Sequence, residues 1–145
     1  MIRSFQISEL DILMKIWLET NLSAHSFIDK SYWQNNYERV QEMLPKANLY
    51  VYEEDNKIQG FIGLSDNYIA GIFVYPSYQS KGIGKVLLDF VKEKQSFLTL
   101  QVYQKNYRAL TFYKREGFVP VKEQLDQDTN ELEIVMDWKN KAVSI

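Results

Sequence analysis

Short runs of β-branched and aromatic residues alternate along the chain with segments whose apolar residues recur at helical spacing. Strands favour the first pattern and amphipathic helices the second. The runs predicted as strands are residues 2–7, 48–53, 58–64, 68–74, 97–103, 118–125 and 131–138. The segments predicted as helices are residues 8–22, 29–44, 82–95 and 106–116. The order β-α-α-β-β-β-α-β-α-β-β predicts an α/β (α+β) fold with a mixed, mainly antiparallel sheet and helices on its faces.

The same pattern gives a prediction for domain organisation. It contains no repeat and no interdomain linker, so residues 1–145 are predicted to form a single domain. Residues 139–145 have no periodic pattern and are predicted to be a loose tail. Gly71 interrupts an apolar strand and indicates a bulge or a close approach of the backbone.

The stretch from residue 68 to residue 95 is predicted to form a strand, a polar loop and a helix. Gly82 and Gly84 open the helix, and Lys81 and Lys85 lie beside them. The start of a helix has unpaired N–H groups and the positive end of the helix dipole, so it suits phosphate. Glycine lacks the Cβ atom that would hold a phosphate at a distance. The loop is therefore a candidate phosphate site.

Three phosphate-loop patterns compete for these glycines. A dinucleotide fingerprint needs G-x-G-x-x-G, but Leu87 stands at the third glycine. A Walker A loop needs G-x-x-x-x-G-K-S/T, but Gln79 replaces its first glycine and Val86 its hydroxyl residue. Residues 79–84, QSKGIG, fit Q/R-x-x-G-x-G/A, which resembles the acyl-CoA pyrophosphate loop of the GNAT superfamily of N-acetyltransferases. A plain strand-to-helix turn also explains the loop taken alone.

A second segment, VYQKNYRALTFYKREGF at residues 102–118, has an amide, a small residue and a phenol on one helix face. Asn106 and Tyr113 are seven residues apart, about two turns, and Ala109 lies between them. A slender ligand could lie along this face, although the helix could also simply pack its apolar residues into the core. The segment resembles the other GNAT signature, V-x-x-x-N-x-x-A-x-x-F-Y-x-x-x-G-F, at every fixed position.

The two signatures occur in the expected order, and the resemblance extends from residue 1 to about residue 138. It implies acetyl transfer from acetyl-CoA to a primary amine by direct attack. The implied ligands of the pyrophosphate, chiefly through backbone N–H groups, are Gln79, Lys81, Gly82, Ile83, Gly84 and Lys85. The implied contacts of the pantetheine arm are Phe73, Val74, Asn106 and Ala109. Tyr113 is implied to bind the sulfur and to protonate the departing thiolate as the catalytic acid.

The resemblance leaves the general base open. Similar small bacterial members often have a glutamate near the start of the central strand, and the matching residue here is Ala70. An alkylammonium with a pKa of ~10.4 must lose a proton before it can attack. The candidate relays are Tyr68, Asp66 through water, His25 or bulk water alone.

The acceptor side is the other implied part of the site. The segment with His25 and Phe27, followed by Tyr32, resembles the substrate-side segment of a branch of small bacterial N-acetyltransferases. With Tyr68 these residues are the implied acceptor contacts, and nearby acidic residues at 126–130 would favour a cationic amine. A capping or surface role for His25 and a packing role for Tyr32 remain open.

Composition narrows the function classes further. A net charge of −2 gives no argument for nucleic acid or an anionic membrane as partner. Without cysteine and with one histidine, no metal site is expected. No apolar run reaches the ~20 residues of a membrane span, so a cytoplasmic protein is expected. The expected oligomeric state is a monomer or a homodimer.

A second function class is a non-catalytic module that binds acyl-CoA and regulates. Tyr113 favours the enzyme, whereas Ala70 keeps the binding module as an alternative. A turnover assay that detects free thiol distinguishes the two.

Overall fold

Within residues 1–141, which the computed structural model of the chain describes, seven strands form one sheet in the order β1-β2-β3-β4-β5-β7-β6. The strands are β1 (Ile2–Ser4), β2 (Asn48–Glu54), β3 (Lys57–Ser65), β4 (Tyr68–Val74), β5 (Phe97–Tyr103), β6 (Val119–Asp126) and β7 (Glu131–Lys139). Neighbouring strands are antiparallel except β4 and β5, which are parallel. This confirms the predicted mixed, mainly antiparallel sheet.

Helices cover both faces of the sheet. They are α1 (Leu10–Ala24), α2 (Lys30–Asn35), α3 (Tyr37–Met43), α4 (Ile83–Lys92) and α5 (Tyr107–Arg115). Side chains alternate along β3, so Phe61 packs in a core with α1, α2 and α3, whereas Ile62 packs in a core with α4 and α5. Both side chains are fully buried, and β3 is therefore covered on both faces. No helix of the described part of the chain is long and apolar enough to cross a membrane.

The N-terminal strand is shorter than the predicted residues 2–7. Its pairing ends at Ser4, and a 3₁₀ turn follows at Ile7–Glu9. The Glu9 carboxylate accepts hydrogen bonds from the Arg3 guanidinium at 2.6 and 3.0 Å and from the Gln6 N–H at 2.9 Å. These bonds stabilise the turn and end the strand.

The predicted second helix, residues 29–44, is divided into α2 and α3 at Asn36. The Asp29 side chain caps α2 by accepting from the Ser31 N–H at 2.9 Å. The Asn36 amide donates to the Tyr32 carbonyl at 2.7 Å. Asparagine side chains compete in this way with the main-chain ladder, which explains the break.

Strand β4 contains the bulge that Gly71 indicated. Gly63 pairs with Gly71 and Leu64 pairs with Ile69, so Ala70 is an extra residue with no partner on β3. A Cβ atom on Gly71 would overlap the ring of the neighbouring Phe73. Bulges of this kind bend a strand and redirect its side chains.

Strands β4 and β5 separate soon after they begin. Within residues 1–141, Tyr68 with Thr99 is the single registered pair between them. Beyond Tyr68, the edge of β4 that faces β5 therefore has no strand partner, and a gap opens towards the carboxyl ends of both strands. We call this space the β4–β5 gap.

The carboxyl end of the described chain is more regular than predicted. Strand β7 reaches Lys139, and the Asn140 N–H donates to the Ser96 carbonyl at 2.8 Å. The rest of the predicted loose tail, residues 142–145, lies outside the described residues.

Candidate active site

The loop between β4 and α4 lies at the mouth of the β4–β5 gap. Ser80 and Gly82 adopt left-handed backbone conformations, with φ of 65° and 85°, and α4 begins directly after Gly82. A Cβ atom on Gly82 would meet nothing within 4 Å, so a side chain would have room there. Glycine is favoured instead because the backbone is left-handed at this position. The first N–H groups of α4 have no carbonyl partner inside the helix and are available to an anion.

The two lysines of this loop differ in their partners. Lys85 Nζ lies 3.2 Å from the Asp89 carboxylate and 3.0 Å from the Glu116 carboxylate. Lys81 Nζ lies 5.6 Å from the centre of the Tyr78 ring. The positive charge expected from Lys85 is therefore compensated by two acids.

Arg108 joins the loop to the first turn of α5. Its Nη1 donates to Gln79 Oε1 at 2.6 Å, and its Nη2 donates to Ser80 Oγ at 2.9 Å. Gln79 in turn donates from Nε2 to the Val74 carbonyl at 2.9 Å. The chain of bonds connects the end of β4 with the start of α5. Sequence analysis did not single out Arg108, because the signature leaves its position unspecified.

Helix α5 carries the signature residues Ala109 and Tyr113, and the third, Asn106, is its N-cap. Asn106 caps the helix, with Oδ1 accepting from the Ala109 N–H at 3.2 Å. Tyr113 is only 9% exposed, and its ring packs edge-on against Phe118 at 5.6 Å. Burial raises the pKa of Tyr113, and the nearby Tyr68 raises it further, so the phenol stays protonated at neutral pH.

Aromatic rings from residues 25–33 pack together against the end of β5. The His25 ring stacks on Trp33 at 5.2 Å and meets Phe27 and Tyr103 edge-on at 5.7 and 5.1 Å. Tyr32 packs edge-on against Trp33 at 4.9 Å. The predicted acceptor segment is thus one cluster, and it reaches β5 through Tyr103.

The comparison with protein families decides between the functions still open. A family model described as the acetyltransferase (GNAT) domain matches residues 20–136. The chain belongs to the GNAT acetyltransferase family. The matched region contains the glycine loop, α5 and the aromatic cluster.

Relatives of this GNAT protein support the same conclusion. The peptidyl-lysine N-acetyltransferase YiaC of Escherichia coli (strain K12) is 36% identical over 140 residues, which cover 95% of this chain and 96% of YiaC. The solution structure of apo YjaB from Escherichia coli matches with a TM-score of 0.85 at 26% identity, over 95% of this chain and 96% of that chain. PaiA N-acetyltransferase from Thermoplasma acidophilum, solved in complex with coenzyme A, shares the fold with a TM-score of 0.75 at 21% identity, over 96% and 98% of the two chains.

The protein is therefore a small acetyl-CoA-dependent N-acetyltransferase, which confirms the enzyme prediction over the non-catalytic module. Within residues 1–141, no three His, Cys, Asp or Glu side chains are grouped so that they could hold a metal ion.

The GNAT site has an acidic border next to the aromatic cluster. Tyr103 donates to the Asp126 carboxylate at 2.6 Å, and Gln124 donates to the Glu133 carboxylate at 2.8 Å. Glu133 lies directly opposite Tyr103 in the register of β5 and β7. Burial raises the pKa of Tyr68, and the negative charge of Glu133 raises it further. Sequence analysis missed Glu133.

The candidate bases have different surroundings. Ala70, the extra residue of the bulge, is exposed and brings no carboxylate to β4. Asp66 is in the turn between β3 and β4, with φ of 53°. Burial lowers the pKa of His25 to about 4, so its ring is neutral at pH 7. His25 Nε2 lies 3.2 Å from Asn106 Nδ2, so this ring nitrogen already faces a protein group.

Proposed function

We propose that the enzyme transfers the acetyl group of acetyl-CoA directly to the side-chain amine of a protein lysine. The observation that carries the acetyl-transfer part of this proposal is the buried phenol of Tyr113, which is 9% exposed and lies about two turns along helix α5 from the capping residue Asn106. A protonated donor at this place can meet the charge that develops on a departing thiolate.

The cofactor would enter through the β4–β5 gap. Backbone N–H groups at the start of α4 would bind the pyrophosphate. Arg108, which bonds to Gln79 in this loop, would add positive charge there, because the charge of Lys85 is compensated by Asp89 and Glu116. The pantetheine arm would pair with the open edge of β4 at Phe73 and Val74, as an added strand does. The remaining proposed cofactor contacts are Gln79, Lys81, Gly82, Ile83, Gly84, Lys85, Asn106 and Ala109.

The chemistry would proceed in one displacement. The neutral amine attacks the thioester carbonyl, and a backbone N–H near Val74 stabilises the oxygen as it gains charge. The C–N bond forms, the C–S bond breaks, and Tyr113 gives its proton to the thiolate. The amine passes the proton it loses to the Tyr68 phenol, which passes its own proton on to bulk water.

The acceptor side supports a lysine. His25, Phe27, Tyr32 and Tyr68 offer apolar ring surface to the methylene groups, and the acidic border attracts the ammonium. Burial raises the pKa of Tyr32, and the charges of Asp126, Asp128 and Glu133 raise it further. The relative YiaC is named for action on peptidyl-lysine.

A panel of acceptors tests the proposal. The protein is incubated with acetyl-CoA and either a lysine peptide, a peptide with a free N-terminus and no lysine, a small diamine or an acidic amino acid. Released thiol is followed over time. We expect the lysine peptide to give the highest kcat/KM. Preference for the N-terminal amine or the small amine would contradict the lysine proposal, and absence of thiol release with every acceptor would contradict amine acetylation.

A further inference from the structure

The Asn106 side chain has a fixed orientation. Its Oδ1 accepts from the Ala109 backbone N–H at 3.2 Å, and a backbone N–H can only donate. The amide oxygen must therefore face Ala109. The amide nitrogen consequently faces His25, with 3.2 Å between Asn106 Nδ2 and His25 Nε2.

This orientation determines which nitrogen of His25 carries the proton. An amide nitrogen only donates, so His25 Nε2 must accept and be unprotonated. The neutral ring therefore carries its hydrogen on Nδ1. Nδ1 is buried and has no hydrogen-bond partner among residues 1–141. Burial lowers the pKa of His25 to about 4, which agrees with a neutral ring.

The ring is also held in place by its neighbours. Trp33 stacks on it, and Phe27 and Tyr103 meet it edge-on. The backbone N–H of His25 closes the last turn of α1 by donating to the Asn21 carbonyl at 3.0 Å. His25 is thus fixed both by its backbone and by its ring, and it can act as a rigid acceptor for Asn106, 81 residues away along the chain.

We propose that His25 is a positioning residue that holds the Asn106 amide in the orientation in which its second N–H binds the pantetheine arm. The cap uses the amide oxygen and His25 uses one amide hydrogen, so one N–H remains for a ligand. The inference rests on the proposed function only in taking the arm to pass Asn106. It assigns His25 a role in binding acetyl-CoA, in addition to any contact of its ring with the acceptor.

Two matched substitutions test this role. His25→Gln places an amide oxygen near the position of Nε2, whereas His25→Asn places its polar atoms near Nδ1. We expect His25→Asn to weaken acetyl-CoA binding about tenfold by calorimetry, as loss of one hydrogen bond to an oriented group would. His25→Gln should restore most of that loss. Circular dichroism checks that both variants are folded.

Nuclear magnetic resonance tests the hydrogen bond without any activity. The chain has one histidine, so ¹⁵N-labelled histidine gives a single ring to assign. We expect the tautomer with the proton on Nδ1 at neutral pH. Asn106→Asp keeps a capping oxygen but replaces the donor with a carboxylate oxygen, so Nε2 should become protonated in that variant.

Each contrary result has a distinct meaning. A wild-type ring protonated on Nε2 would overturn the hydrogen bond and the positioning role together. If both His25→Asn and His25→Gln bind acetyl-CoA with wild-type affinity and change only the KM for the acceptor, His25 is an acceptor contact alone. Absence of acetyl transfer in the wild type would contradict the proposed function but leave the resonance result standing.

Discussion

The cofactor side and the acceptor side of the β4–β5 gap are built differently. The proposed cofactor side combines the edge of β4 with residues 79–85 and the start of α5, and it offers mainly backbone groups. The acceptor side combines residues 25–33, β5 and the β6–β7 strands, which meet only in the fold. Binding of acetyl-CoA should therefore depend on main-chain conformation, whereas acceptor preference should depend on individual side chains.

The largest effect is expected where the two sides meet. Tyr113→Phe keeps the ring and removes the O–H, so acetyl-CoA affinity should stay nearly intact while kcat falls about 10²-fold, the usual range for a general acid. Tyr107→Phe, at a tyrosine of the same helix that is 72% exposed, is the control. Unchanged kcat in Tyr113→Phe would mean that water protonates the thiolate, and lost binding would mean a structural hydroxyl.

A main-chain change on the cofactor side should come next. Gly82→Val puts a β-branched residue at φ of 85°. This conformation costs about 1–3 kcal/mol for such a residue, so the loop should rearrange and acetyl-CoA affinity should fall at least about tenfold. Gly84→Ala should reduce acetyl-CoA affinity less, because the added Cβ would make an ordinary 3.6 Å contact with the Phe112 ring. Wild-type affinity of the Gly82 variant in calorimetry would refute the loop assignment.

A pair of side-chain changes compares the two cations near the loop. Arg108→Ala should weaken acetyl-CoA binding about fivefold, since it removes a cation that bonds Gln79 and Ser80. Lys85→Ala should weaken binding less, because Asp89 and Glu116 already compensate its charge. Calorimetry at two salt concentrations measures both. A larger loss of affinity in Lys85→Ala than in Arg108→Ala would show that Lys85 leaves Asp89 and Glu116 when the cofactor binds.

The smallest effect is expected on the acceptor side. Glu133→Gln keeps the shape and the bond with Gln124 but removes the charge. The KM for a lysine peptide should rise about threefold to fivefold, as for a partly solvated ion pair, with little change in the KM for acetyl-CoA. Glu123→Gln, on the neighbouring strand β6 and exposed, is the control. An effect confined to acetyl-CoA would place Glu133 outside the acceptor side.

The backbone features of the glycine loop and of the start of α5 have local signals in the sequence. Gly82 marks a left-handed residue before a helix, and Asn106 marks a helix cap, so a few neighbouring residues suffice for each. The bulge at Ala70 was indicated in the same way by Gly71. Interactions between distant segments were not predictable: the pairing of Lys85 with Glu116 crosses 31 residues.

The acceptor side shows the same limit more strongly. The alternation along β7 does place Glu133 on the face opposite its apolar neighbours, but the pattern alone does not say that Tyr103 lies across from it. The contact between His25 and Asn106 likewise depends on how α1 and α5 meet at the sheet. The division of the second predicted helix at Asn36 was missed because asparagine is compatible both with a continuous helix and with a break in it.

The single registered pair between β4 and β5 has a consequence for unfolding. It divides the sheet into two hydrogen-bonded blocks, β1 to β4 and β5 to β7, which are joined mainly by side chains of the shared core. Blocks of this kind can open as separate cooperative units, and a ligand that bridges them stabilises the closed form by mass action. In the proposed binding mode acetyl-CoA bridges the two blocks as well as reacting, and amide hydrogen exchange along β4 should slow as its concentration rises.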